Sequence, residues 1–213
     1  MAVEELRSLG ILGGTFNPPH LGHLAIARQA RTELGLDRVL LMPTYSIAHK
    51  NAGPDPGAEH RLSMCRLLVE DDGGLAASAL EIERGGQSDR GGRSYTVDTL
   101  EEIHASHPDT RLTLIAGADT ASTVPSWHEP ARLLALADLA VARRSGTGAR
   151  AVLDSLPRAA AVSFLDTPVL HVSSSIVRER LAAREPVEDL VGGAVAGYIA
   201  EHRLYRARTG ALS

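Results

Sequence analysis

Apolar and polar positions alternate in blocks whose spacing switches between strand-like and helix-like along the chain. Leu9 to Leu12 is a short apolar run that reads as a buried strand. Gly13-Gly14 break it, and Pro18-Pro19 stand where a helix should begin. From Leu21 the apolar residues Leu21, Leu24, Ile26, Ala27, Ala30 and Leu34 recur at helical spacing. Met1 to Ser8 reads as a frayed start, Asp37 to Pro43 as a second buried strand and Thr44 to Gly57 as a loop. The rhythm continues with a helix over Ala58–Asp71, a strand over Leu75–Glu83, a helix over Val97–Ser106 and a strand over Arg111–Ala116. It closes with a helix over Ala131–Leu136, a strand over Asp138–Arg143, a Ser-Gly connector at Ser145–Gly148, a helix to about Ser155 and a strand over Ala161–Leu165. A strand-like Val169–Val172, a helix from Ser174 and a last helix over Asp189–His202 complete it. This succession predicts an α/β fold with a doubly wound, mostly parallel sheet and helices on both faces. The expected organisation is one domain over residues 1–213, with a core at about 9–185 and a helical end at 186–205.

Ligands of such sheets sit beyond the carboxyl ends of the strands, so residues that follow strands are informative. A strand, a glycine turn and a helix start bring backbone N–H groups and the positive end of a helix dipole to one spot, which suits a phosphate. His20 and His23 lie three apart across that helix start, so their rings share a face and point to the same place. Protonated, each donates a charge-assisted hydrogen bond. Ser173-Ser174-Ser175 open a later helix, cap it and form a second anion cradle, with Arg178 a turn further on and able to grip phosphate oxygens bidentately. Asp119, after the fourth strand, suits ribose hydroxyls or a helix N-cap, and Trp127 offers a flat face for a heteroaromatic ring or for the core. Thr96 reads as an N-cap, with Asp98 in the first helical turn.

Composition narrows the classes. Hydrophobic residues are 44% of 213, enough for a core. A net charge of −4 and a pI near 6.1 argue against a nucleic-acid or membrane-surface partner. No run approaches a membrane span and no leader pattern opens the chain. Cys65 is the one cysteine, so no disulfide framework exists and a reducing cytoplasm fits. Lys50 is the one lysine in a chain whose other 21 basic residues are arginine. A compact ammonium on a flexible stem is not interchangeable with a guanidinium, which marks Lys50 for use.

The run Gly13-Gly14-Thr15-Phe16-Asn17-Pro18-Pro19-His20-Leu21-Gly22-His23 resembles the GGTFxPxHxGH signature of the HxGH nucleotidyltransferase superfamily. Ser94 to Leu100 resembles the SYTxDTL segment of its nicotinate mononucleotide adenylyltransferases, and Gly117, Asp119 and Trp127 resemble their GxDxxxxxxxW pattern. Ser173 to Arg178 is similar to their ISSTxIR, and Leu190 to Tyr205 to their ending. His49-Lys50 matches the end of a Pro-Pro-His-Lys loop whose prolines are here Ile47-Ala48, and Gly85–Arg93 is a longer insert before Ser94. His128 stands where those enzymes often carry an aromatic residue.

The resemblance implies adenylyl transfer from ATP to nicotinate mononucleotide, giving the dinucleotide and pyrophosphate in NAD biosynthesis. It implies catalytic roles for His20, His23, Lys50 and Arg178, with ATP held by Gly13, Gly14, Thr15, Phe16, Gly117, Asp119, Ser173, Ser174 and Ser175. It implies an acceptor site of Asn17, His49, Lys50, Tyr95, Thr96, Trp127 and His128. Mg²⁺ is expected on substrate phosphates rather than on a protein carboxylate cluster. A homo-oligomer is compatible with these features. Two other readings remain open: the same chemistry on a different phosphorylated or phosphonate acceptor, and a nucleotide-binding module without turnover.

Overall fold

The computed structural model describes residues 6–46, 53–87, 95–144, 153–154, 156–157, 160–167 and 170–206. Its strands are β1 (Ser8–Gly14), β2 (Arg38–Pro43), β3 (Leu75–Ala77), β4 (Arg111–Gly117), β5 (Ala137–Arg144) and β6 (Val162–Thr167). They form one six-stranded sheet in the order β3-β2-β1-β4-β5-β6, and all five pairings are parallel. β1 and β4 are neighbours, yet the chain leaves them in opposite directions across the sheet. Ligands of such sheets bind at a switch point of this kind, beyond the carboxyl edge, here where Gly14 pairs with Pro43 and Gly117 with Ala142.

The helices are α1 (Leu21–Leu34), α2 (Ala58–Val69), α3 (Leu80–Gln87), α4 (Thr96–Ser106), α5 (Ala118–Ala121), α6 (Pro130–Leu136), α7 (Ser174–Ala182), α8 (Glu188–Val191) and α9 (Gly193–Glu201). One core layer joins Leu12, Leu41, Ala27, Cys65, Val177 and Ile199, and so packs α1, α2, α7 and α9 on one face. The other joins Ile11, Leu114, Val97, Leu100 and Leu133, packing α4 and α6 on the opposite face. Adjacent residues Ile11 and Leu12 go to opposite layers, as period-two alternation requires. Cys65 is a core residue, and burial pushes its thiol pKa well above the usual range.

Several expected boundaries move, each for a physical reason. Gly13-Gly14 do not break β1; the ladder continues to Gly14. The turn comes instead at Phe16, whose φ of 51° is left-handed. The start is not frayed from Arg7 onward, because Asp37 accepts hydrogen bonds from the Arg7 and Ser8 N–H groups at 2.8 Å each. Leu75–Glu83 is not one strand. β3 stops at Ala77 and α3 begins at Leu80, where the Ser78 hydroxyl accepts the Leu80 N–H at 3.3 Å and Glu81 and Glu83 sit in the helix's positive first turn. Residues 170–172 are not a strand, and Val169 lies outside the described residues. The last helix divides into α8 and α9 at Gly192, with φ 84°. Tyr95, not Thr96, is the N-cap residue of α4. The Ser145–Gly148 connector and most of the helix expected before Ser155 lie outside the described residues.

Candidate active site

The β1–α1 turn is built from residues that give the backbone little choice. A Cβ on Gly14 would stand 3.2 Å from the Phe16 ring, and a Cβ on Gly22 would stand 3.0 Å from the His20 ring and from Val172. The Asn17–Pro18 bond is cis. Phe16 is buried, and its ring meets His23 at 4.8 Å between centroids. His20, in extended backbone, caps α1, and its imidazole stacks on that of His23 at 3.7 Å and 24°. The two histidines therefore do share one face, as their spacing predicts.

The surroundings of His23 act on its charge. Burial first, and the neighbouring His20 second, hold the His23 pKa well below 6.5. His23 is thus neutral near pH 7 in the free protein. Its Nδ1 accepts the His20 backbone N–H at 3.2 Å, so the ring proton belongs on Nε2. In the free protein this position therefore offers a neutral N–H donor.

The second helix start lies against the first. Ser173 caps α7 by accepting the Ile176 N–H at 3.2 Å. Ser174 donates its hydroxyl to the Pro18 carbonyl at 2.8 Å. Arg178 donates to the Asn17 carbonyl at 2.6 Å and to the Ser175 hydroxyl at 3.1 Å. These bonds join residues some 156 and 161 positions apart, so the amino ends of α1 and α7 converge on one turn. Gly13, the last residue but one of β1, and Gly117, the last of β4, lie at the same edge, and neither would find an atom within 4 Å of an added Cβ. The space beyond both is open to a ligand. Asp119 is exposed in the first turn of α5, with Gly117 as that helix's N-cap residue.

The expected acceptor residues divide. A crossover helix runs antiparallel to its strands, so the start of α4 at Tyr95 and Thr96 also faces the carboxyl edge. The Tyr95 ring lies 4.2 Å from that of His128, which is exposed and approaches Glu129 at 3.7 Å. Trp127 is half-buried against the α4–α6 layer and donates its indole N–H to the Thr123 hydroxyl at 2.9 Å. Asn17, by contrast, is buried and already engaged. Its amide donates to the Pro54 carbonyl at 3.1 Å and accepts from the Tyr205 hydroxyl at 2.8 Å. In the free chain the Asn17 side chain is thus bonded within the turn. His49 and Lys50 lie outside the described residues.

Two residues at this turn escape a reading of sequence spacing after strands. Tyr205 reaches Asn17 across 188 residues. Arg61 is fully buried and bonds the Thr15 carbonyl. A signal for Arg61 was present: it shares the apolar stripe of α2 with Cys65 and Leu68 at i, i+4 and i+7.

Residues 11–180 match the family described as cytidylyltransferase-like. Among relatives, a probable nicotinate-nucleotide adenylyltransferase of Synechococcus sp. (strain JA-3-3Ab) is 39% identical over 206 residues, covering 94% of this chain and 96% of its own. One from Herpetosiphon aurantiacus is 38% identical over 205 residues, covering 95% and 100%. One from Oceanobacillus iheyensis is 36% identical over 200 residues, covering 94% and 97%. In three dimensions, Plasmodium falciparum nicotinic acid mononucleotide adenylyltransferase complexed with NaAD superimposes with a TM-score of 0.73 over 93% of this chain and 97% of that one. At 18% identity that likeness speaks for the fold.

Proposed function

We infer, from a chain that belongs to the cytidylyltransferase-like family and within it to the nicotinate-nucleotide adenylyltransferases, that this enzyme moves AMP from ATP to nicotinate mononucleotide. The products are nicotinate adenine dinucleotide and pyrophosphate. The observation that carries the reading is the bonded pair of helix starts, Ser174 on Pro18 and Arg178 on Asn17, at the switch point of the sheet.

An acceptor 5′-phosphate is already an anion and needs no general base. Its oxygen attacks the α-phosphorus of ATP, a new P–O bond forms, and the bond to the β-phosphate breaks with its electron pair leaving on pyrophosphate. The barrier lies in bringing two polyanions together in line, so positioning and charge neutralisation do the catalysis. In this reading the Gly13–Phe16 turn and the α1 start receive the triphosphate, with His20 and the His23 Nε2–H donating to its oxygens. The Ser173–Ser175 start of α7 and Arg178 hold the leaving end. Lys50 supplies a further cation, with His49 beside the acceptor. Gly117 and Asp119 take the ATP ribose, while Tyr95, Thr96, Trp127 and His128 take the pyridine.

Among the described residues no three His, Cys, Asp or Glu side chains converge as a metal cage. Mg²⁺, when bound, would arrive on the nucleotide, held by phosphate oxygens and water, and would supply charge neutralisation there. Among the same residues no helix is long and apolar enough to cross a membrane.

Pyrophosphate release with a panel of acceptors tests the reading. Release with nicotinate mononucleotide is expected. Release only with another phosphorylated acceptor would reassign the substrate, and tight ATP binding without release from any acceptor would replace the enzyme with a nucleotide-binding module.

A further inference from the structure

The guanidinium of Arg61 is fully buried, and it is spent on three separate segments of chain. Nη1 donates to the Thr15 carbonyl at 2.8 Å, Nη2 to the Tyr45 carbonyl at 2.9 Å and Nε to the Asp55 carboxylate at 3.1 Å. Thr15 belongs to the β1–α1 turn, Tyr45 follows β2, and Asp55 precedes α2. Only one of these partners carries charge, and it is itself 35% exposed. Desolvating a cation costs several kcal/mol, and a packed apolar side chain commonly serves stability as well. The guanidinium provides something else: a rigid planar fork of donors that fixes the carbonyls it meets.

One of those carbonyls matters for the site. In a trans peptide the C=O and the next N–H point to opposite sides. Drawing the Thr15 oxygen inward to α2 therefore turns the Phe16 N–H outward from it. Phe16 has φ 51°, a left-handed conformation that strains a non-glycine residue and persists only where its surroundings hold it. The Phe16 ring in turn backs His23, which stacks on His20. We propose that Arg61 is a positioning residue for adenylyl transfer, setting the plane of the Thr15–Phe16 peptide and, through Phe16, the imidazole pair. This rests on the adenylyl-transfer reading above for its kinetic consequence, though not for its structural one.

The test compares Arg61→Lys, Arg61→Gln and Asp55→Asn in the full chain. A lysine keeps the charge but lacks the fork. Folded Arg61→Lys, checked by circular dichroism, should lose about 100-fold in kcat with the KM for ATP within about threefold of wild type. Its His20 and His23 imidazole proton resonances should shift, while those of His104, in the last turn of α4, and His107, just after it, stay in place. Asp55→Asn leaves both carbonyl bonds intact and should keep kcat within about threefold, which assigns the effect to the carbonyls rather than to the ion pair. Arg61→Gln carries the same expectations as Arg61→Lys should the lysine variant not fold. A folded Arg61 variant with wild-type kcat and unmoved imidazole resonances overturns the proposal, as does a loss in Asp55→Asn equal to that in Arg61→Lys. A wild-type protein without transferase activity would defeat the functional reading alone, since the imidazole resonances would still decide the role of Arg61.

Discussion

His23 enters the site as a neutral ring, and that has two measurable consequences. The first concerns stability. The unfolded chain titrates this group near 6.5 and the folded one well below, so between those values the unfolded state binds more protons. Stability therefore rises with pH in that window and is lost as pH falls below about 6.5. The urea midpoint should drop between pH 7.5 and 5.5, and His23→Asn should flatten that drop; an identical drop in the variant would remove His23 as its source. The second concerns turnover. A donor aimed at charge that develops in the transition state is worth about 10²–10³ in kcat. His23→Ala should lose that much while the KM for ATP moves only a few-fold, and undiminished turnover would refute its role. The shared face of His20 and His23 was legible from spacing alone, because three residues on a helix fix the direction of two side chains. The charge state was not, because desolvation is a property of the folded surroundings.

The two helix starts depend on each other at the scale of elements. Ser174 Oγ joins α7 to the Pro18 carbonyl, and Tyr205 beyond α9 closes on the Asn17 side chain with a buried hydroxyl whose pKa burial raises far above its ordinary value. Tyr205→Phe keeps the ring and leaves the Asn17 oxygen without that donor. A loss of about 1–3 kcal/mol in unfolding free energy is expected, with a fall in kcat if the turn loosens. A thermal melt and a turnover assay read both, and a variant as stable as wild type would show the bond to be idle. Helix starts were legible where glycine, proline and serine punctuate the chain, at Pro18-Pro19 and at Ser173-Ser174-Ser175. The start of α3 was missed because Leu80 and Ile82 continue the alternation of β3, although Ser78 and Glu81 form a capping pattern. The bonds of Asn17, Arg61 and Tyr205 join segments far apart in sequence, and no local period reports such pairing.

For the molecule as a whole, the sheet order puts the β1 and β4 ends side by side, and the place of the candidate site follows from that topology more than from any one residue. The helical end belongs to the same core. Val187, Leu190, Val191, Val195, Ile199 and Tyr205 pack in one layer with Ala27, Cys65 and Val177. Burying each large apolar side chain contributes about 1.5–3 kcal/mol, so their sum rivals the stability of an average domain. A chain ending at residue 186 should not unfold cooperatively, and a sharp calorimetric transition from it would contradict the shared layer. Strand and helix succession was legible because buried parallel strands are short apolar runs between amphipathic helices. The strand order was legible only in part, since the pairing of β1 with β4 spans the first half of the chain. The most direct measurement is the mass of the product formed from ATP and nicotinate mononucleotide. The account predicts a species heavier than the acceptor by one adenylyl group, formed together with one pyrophosphate. Recovery of both substrates unchanged, with ATP bound to the protein, would contradict it.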